Sequence, residues 1–294
     1  MNGGIVTHNL SKTYPGAAEA ALSKLNLQVE PREVYGFLGA NGAGKTTAIR
    51  LLLNFIQPTS GSAAVNGLDI VKDSVAVKRH VGYLAGDIAL WPKVTGQQLF
   101  DYLMQLQGKD CTPYLQELVK KFEAEPQKKI SELSKGNRQK IGIIQALMHQ
   151  PDVLIMDEPT SGLDPLMQEV FYSEVRAAAH RGAAVLVSSH NLAEAQRMCD
   201  RVGIIKHGRL IREQTIKDDE QLGAPVLRAV FKSAVPTLGK SVKVISKQGA
   251  TAVVQAAGPL NAALADLAKH DIVSLTSEQL NLEEEFMEYY GDGA

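Results

Sequence analysis

The sequence is poor in cysteine: Cys111 and Cys199 are its only two, far apart in 294 residues. That excludes a disulfide framework and a cysteine-rich zinc site, and fits a reducing compartment. No apolar run approaches the ~18–20 residues of a membrane-spanning helix, so any membrane role requires a partner chain. Met1-Asn2-Gly3-Gly4 has neither the charged start nor the apolar stretch of a secretion signal, and none is expected. Net charge is also scarce. Lys and Arg number 31 against 32 Asp and Glu, so no global basic field draws the chain to nucleic acid. Internal repeats and low-complexity tracts are absent. What remains is ordinary globular material, 45% hydrophobic and 21% charged, enough for a sizeable core and about two domains.

Against that background one stretch stands out. Gly39-Ala40-Asn41-Gly42-Ala43-Gly44-Lys45-Thr46-Thr47 reads G-x-x-x-x-G-K-T, a phosphate-binding P-loop. Strand-like Glu33 to Leu38 precedes it and helix-like Ala48 to Leu53 follows, which is the context the motif needs. Glycines let backbone N–H groups close around phosphate oxygens, and the helix start adds unpaired N–H groups and a positive dipole end. Lys45 can reach β- and γ-phosphates, and the Thr46 hydroxyl can ligate Mg²⁺.

Around the loop the chain alternates strands and helices. Gly4 to Leu10 and Ala21 to Val29 read as two strands about a turn at Tyr14-Pro15-Gly16. Ser60 to Gly67 reads as a strand and turn, Val75 to His80 as a short helix, and Val81 to Leu84 as a strand. From Thr95 to Gln150 the spacing turns helical. Leu99, Phe100, Leu103 and Leu106, then Leu115, Leu118, Val119 and Phe122, then Ile141, Ile144 and Met148 each mark one apolar face. Val153 to Met156 and Ala184 to Val187 are apolar without alternation, as in strands buried on both faces of a parallel sheet. Pro165 opens a helix through Arg181, with Met167, Val170, Phe171 and Val175 inward. Val202 to Ile205 and Arg209 to Ile211 flank His207-Gly208 as a hairpin. A polar stretch from Thr215 to Gly223 separates this region from a small α+β unit. That unit has strands near 226–231, 242–245, 252–254 and 272–275, a helix at Leu264 and Leu267, and a last helix with Leu282, Phe286 and Tyr289.

Polar residues fall at the strand ends. Asp157 can hold Mg²⁺ opposite Thr46, and Glu158 beyond it can accept a proton from an attacking water. His190 follows the next core strand and can hydrogen-bond a γ-phosphate or steady the water. Leu133-Ser134-Lys135-Gly136-Asn137 opens another helix with a serine and a glycine suited to an anion.

Taken together these stretches resemble the ATP-binding subunit of an ABC transporter, over about Gly4 to Gln214. The resemblance is carried by the Walker A residues Gly39 to Thr47, the signature Leu133 to Asn137, and the Walker B run Val153 to Asp157 with Glu158. The D-loop Ser161-Gly162-Leu163-Asp164 and the switch His190 complete it. It implies an α/β fold: a P-loop NTPase of the ABC ATPase kind, with a mostly parallel core sheet, an antiparallel β subdomain and a helical insert. Its boundaries are an ATPase domain over 1–214 with the insert at about 95–150, a linker over 215–223, and an accessory C-terminal α+β domain over 224–294. It implies ATP and Mg²⁺ as cofactors, Tyr14 as the aromatic stacking on adenine, and two ATPase domains paired head to tail. Ser134 and Gly136 would bind γ-phosphate in trans, while Lys45, Thr46, Asp157, Glu158 and His190 act in cis. A separate transmembrane permease subunit would place the chain on the cytoplasmic face of the cell membrane.

Two positions depart from the family pattern. Gly86 stands where the Q-loop glutamine or glutamate belongs, followed by Asp87. Either Asp87 substitutes as a metal ligand or that contact is missing; Asp87 is the reading adopted. Lys135 and Asn137 replace the signature's first glycine and its glutamine. This variant resembles the bacterial drug- or antibiotic-exporter branch, and the segment from Asp87 to Gly96, with Trp91-Pro92, is a candidate dock for the membrane subunit. The alternatives are an importer ATPase and a soluble ABC ATPase acting on nucleic acid or ribosomes. The second usually carries two cassettes, a coiled coil or zinc-binding cysteines, none of which is seen here, and no nucleic acid is expected.

Overall fold

The computed structural model describes residues 3–216 and 226–278. The chain divides into two compact units, Met1–Ile216 and Lys217–Ala294. In the first, the unalternating apolar runs form the middle of a six-stranded sheet. β4 (Val34–Leu38), β8 (Val153–Asp157) and β9 (Ala184–Ser189) are buried at every residue. Burial on both faces goes with parallel pairing. β10 (Arg201–Lys206), β4, β9, β8 and β7 (Val81–Leu84) run parallel in that order, and β11 (Arg209–Thr215) adds an antiparallel edge. The expected mostly parallel core sheet is present. Its registers set Leu38 beside Ser189, Asp157 beside Ser188 and Leu84 beside Met156. The loops leaving these strands therefore start level, outside the carboxyl ends where ligands sit in such sheets.

The antiparallel subdomain is also present. β1 (Ile5–Lys12) pairs with β2 (Leu22–Leu25), β3 (Gln28–Val29) and β5 (Ser60–Val65), and β6 (Leu68–Asp69) extends it. One expectation is corrected here: Ala21 to Val29 is not a single strand. The Thr7 hydroxyl accepts from the Leu27 N–H at 2.8 Å, and the Asn26 side chain accepts from the Asn9 N–H at 2.8 Å. These side-chain bonds replace ladder bonds and break the strand at Asn26-Leu27.

The helical insert holds α3 (Gly96–Gln107), α4 (Thr112–Lys121) and α5 (Lys135–Leu147). Thr95 and Gln98 cap α3 reciprocally, and Ser134 caps α5 through its side chain. Leu99 and Phe100 are buried as expected, but Leu106 is 71% exposed and does not join the core. It lies on the rim of an apolar groove instead.

α6 (Pro165–Arg181) carries Glu174, a carboxylate buried at 3% exposure. It accepts from the Tyr114 hydroxyl at 2.8 Å and from Lys121 Nζ at 2.6 Å, both on α4. Lys121 is 41% exposed and can return to water, so its share of the pair is small. The buried phenol cannot. Glu174→Ala is therefore expected to cost about 2 kcal/mol, mainly for the orphaned Tyr114 hydroxyl and the void. Thermal unfolding should show the loss as a lower Tm, and an unchanged Tm would contradict it.

The second unit has a four-stranded antiparallel sheet. Its order is β13 (Val242–Gln248), β14 (Thr251–Ala256), β12 (Val226–Phe231), β15 (Ile272–Glu278). Leu227, Ala229 and Phe231 alternate inward on β12 against Ala263 and Leu267 of α8 (Leu260–Leu267). The expected last helix with Leu282, Phe286 and Tyr289 lies outside the described residues. So does most of the 215–223 linker, while Thr215 itself closes β11. Among the described residues no helix is long and apolar enough to cross a membrane.

Candidate functional site

The loop after β4 turns sharply because Gly42 and Gly44 adopt positive φ, 81° and 113°. At Gly44 a Cβ would also lie 2.8 Å from the Ala21 carbonyl, so the position admits nothing larger. α1 (Lys45–Leu52) starts directly after it. The hairpin between β10 and β11 braces the loop from below, the Gly208 N–H donating to the Ala43 carbonyl at 2.8 Å. Lys45 is 6% exposed. Its ammonium donates to the Gly39 carbonyl at 2.5 Å and the Ala40 carbonyl at 3.3 Å, and faces Glu158 Oε1 at 3.2 Å. That contact is an ion pair rather than a hydrogen bond, since Oε1 is buried and accepts none.

The end of β8 supplies the carboxylates. Asp157 Oδ2 accepts from the Thr46 hydroxyl at 2.8 Å, and Asp157 Oδ1 accepts from the Ser188 hydroxyl. Glu158 sits in the left-handed region at φ 48°, a conformation that costs a side-chain-bearing residue about 1 kcal/mol. Ser188 holds it there, its carbonyl and hydroxyl accepting from the Glu158 N–H at 3.2 and 3.1 Å. The turn aims Glu158 Oε2 at His190 Nδ1, 2.7 Å away. Glu194 of α7 (Leu192–Met198) ties the neighbouring loops together, accepting from Thr160 at 2.8 Å and Ser189 at 3.0 Å.

These groups line one cavity of about 510 Å³. Ala40, Asn41, Gly42, Gly44, Lys45, Thr46 and Thr47 form one wall; Gly86, Asp87, Asp157, Glu158 and His190 form the other. Gly39 and Ala43 are not part of the lining. A Cβ on Gly39 would strike the Ile205 carbonyl at 2.6 Å, which places it on the underside of the loop. Tyr14, Ser134 and Gly136 also stay out of this lining. Tyr14 is 36% exposed with Lys12 Nζ 5.6 Å over its ring. Ser134 begins α5, and Lys135 reaches from there to Ser161 Oγ at 3.4 Å. Among the described residues no group of three His, Cys, Asp or Glu side chains could hold a metal ion. Thr46, Asp157 and Asp87 offer hard oxygen donors only.

Four members of the site carried no motif signal: Arg50, Tyr83 and Ser161 in the lining, and Ser188 beneath it. Only Ser188 could have been suspected, as one of the polar residues ending a buried strand.

Residues 22–161 match the ABC transporter family. Among curated proteins, the chain is 34% identical over 204 residues to the probable multidrug ABC transporter ATP-binding protein YbhF of Escherichia coli. That alignment covers 68% of this chain but 35% of YbhF, so the chain spans about a third of that relative's length. It is 35% identical over 216 residues to the bacitracin transport ATP-binding protein BcrA of Bacillus licheniformis, covering 71% of this chain and 69% of BcrA. A solved structure of an ATP-binding subunit of an ABC transporter aligns with TM-score 0.69 at 27% identity, over 74% of this chain and 92% of that one.

Proposed function

The chain belongs to the ABC transporter family of ATP-binding proteins, and we propose that it binds and hydrolyses ATP to power export through a separate transmembrane permease subunit. The observation that carries this reading is convergence. Lys45 and Thr46, Asp157 and Glu158, and His190 leave three adjacent strand ends and meet around one cavity. In this reading the backbone N–H groups of the glycine loop and α1 hold the phosphates, and Lys45 adds a buried positive charge to them. Thr46 and Asp157, already hydrogen-bonded to each other, fit Mg²⁺ as oxygen donors, with Asp87 as a third candidate. Mg²⁺, when bound with ATP, neutralises charge on the β- and γ-phosphate oxygens. Glu158 is the general base. Its fixed backbone directs the carboxylate across the cavity, and His190 keeps it oriented. Tyr14 stacks on the adenine.

Ser134 and Gly136 start a helix that the fold keeps out of this cavity, which supports their action on the ATP of a second copy in a head-to-tail pair. Closure around ATP and opening after hydrolysis would then move the membrane subunit, through differential affinity for the two states. Its dock is the apolar groove of about 330 Å³ between Phe55, Ile88, Leu103 and Leu106, and the occupant is a short amphipathic helix of the membrane chain. The exposed pair Trp91 and Tyr102, rings 5.2 Å apart, adds an aromatic contact on the 87–96 segment. This arrangement places the chain on the cytoplasmic face of the membrane. The export direction follows relatives named for multidrug and bacitracin transport, and residues 224–294 would be the accessory domain of that branch.

Purification in mild detergent after coexpression with the neighbouring genes tests the reading. A polytopic membrane protein should copurify in fixed ratio and stimulate ATP hydrolysis. Hydrolysis that ignores every membrane chain and follows salt-sensitive binding to RNA or DNA would contradict it.

A further inference from the structure

Tyr83 stands between two cavities. It lines the phosphate cavity and also the apolar groove beside it. Ala85 lines both as well, but its methyl group offers no polar atom. The register of β7 on β8 pairs Tyr83 with Ile155, so Tyr83, Ile155 and Asp157 project from the same face of the sheet. Asp157 lies one pleat further along. The phenol is half-buried, and burial first, then the Asp157 charge, raise its pKa, while Arg50 lowers it. Its ring packs edge-on against Phe55, centroids 5.6 Å apart, and its carbonyl accepts from Gln145 Nε2 of α5 at 2.6 Å. Phe55 is exposed and borders the groove alone, not the phosphate cavity.

Gly86 supplies the second observation. A Cβ built on it would lie 3.4 Å from Asp157 Cγ, ordinary contact, and its φ is outside the left-handed region. Neither conformation nor crowding therefore demands glycine there. The position faces Asp157 and offers it no side chain.

We infer that Tyr83 is a positioning residue of the phosphate site, its hydroxyl serving Asp157 on the side that Gly86 leaves bare and its ring passing movements in the groove to that carboxylate. The inference rests on reading the cavity as an ATP site, and it adds to that reading a physical link between groove and site.

Tyr83→Phe keeps the ring and removes the hydroxyl. Expected are a kcat about tenfold lower, the scale of one hydrogen bond to a charged group, and an unchanged Kd for ATP without metal. The gain in ATP affinity on adding Mg²⁺, read by calorimetry, should shrink by about threefold. Gly86→Gln in the Tyr83→Phe background should restore most of both losses, because its carboxamide reaches the same side of Asp157. Phe55→Ala should lower kcat in the wild-type background and change nothing further in Tyr83→Phe. Wild-type kcat and Mg²⁺ response in Tyr83→Phe would overturn the positioning role. So would a loss that falls equally on metal-free ATP binding and resists Gly86→Gln, since that is the mark of a folding defect. Multiplying effects of Phe55→Ala and Tyr83→Phe would overturn the link to the groove. Lys45→Ala is the control for the underlying reading. If it binds ATP like wild type, the ATP site itself is wrong; if it loses ATP while Tyr83→Phe is silent, only this inference fails.

Discussion

Lys45→Ala is expected to weaken ATP binding by about 10- to 100-fold, the range for losing hydrogen bonds between charged partners in a buried site. The ammonium is the buried cation of the loop wall, and alanine cannot replace its charge or reach. The substitution also strips Glu158 Oε1 of its sole ionic partner, leaving a buried carboxylate oxygen with none. Part of the effect will therefore appear as lower stability of the loop itself. Titration of a fluorescent ATP analogue measures the affinity directly. An affinity equal to wild type would remove the basis for a phosphate site at Gly39 to Thr47.

Glu158→Gln should separate binding from turnover. The amide keeps the size of the side chain and can still accept from His190, but it cannot take a proton. A general base contributes about 10²- to 10⁴-fold, and kcat should fall by that much while ATP binding persists. Because hydrolysis is what reopens the proposed pair, this variant should accumulate as a dimer with MgATP, visible by light scattering. The strained turn supports the assignment. A left-handed glutamate is held by two hydrogen bonds to Ser188, an arrangement that fixes a carboxylate in space at some cost in backbone energy. Wild-type turnover in Glu158→Gln would show that another group, or none, takes the proton.

Much of this was legible in the sequence because the deciding interactions are short in range. Glycines in the G-x-x-x-x-G-K-T loop announce a backbone that must turn tightly. Apolar runs such as Val153 to Met156 announce burial on both faces, and thus a parallel sheet whose carboxyl ends share one edge. Asp157, Glu158 and His190 are then placed by strand ends alone. What was not legible depends on partners remote in sequence. Glu174 looks like a surface residue of an amphipathic helix until Tyr114 and Lys121, 60 and 53 residues away, close over it. The break at Asn26-Leu27 is made by the Thr7 hydroxyl across the sheet. Leu106 fits a helical apolar stripe, yet this chain supplies nothing to cover it. Tyr83 is one more apolar-run residue until the β7–β8 register puts it beside Asp157. The trans roles of Ser134 and Gly136 rest on resemblance, since a single chain keeps both away from its own phosphate cavity.

Specific ATPase activity measured across a wide range of chain concentration, for wild type and for Ser134→Arg, tests the central claim most directly. If ATP is hydrolysed between the P-loop of one copy and the signature of another, activity per chain rises with concentration toward a plateau. Ser134→Arg, which fills the signature with a bulky side chain, then binds ATP normally but hydrolyses almost none. Activity per chain that is constant over the whole range, with Ser134→Arg as active as wild type, would mean that one chain completes its own site and that the paired mechanism is wrong.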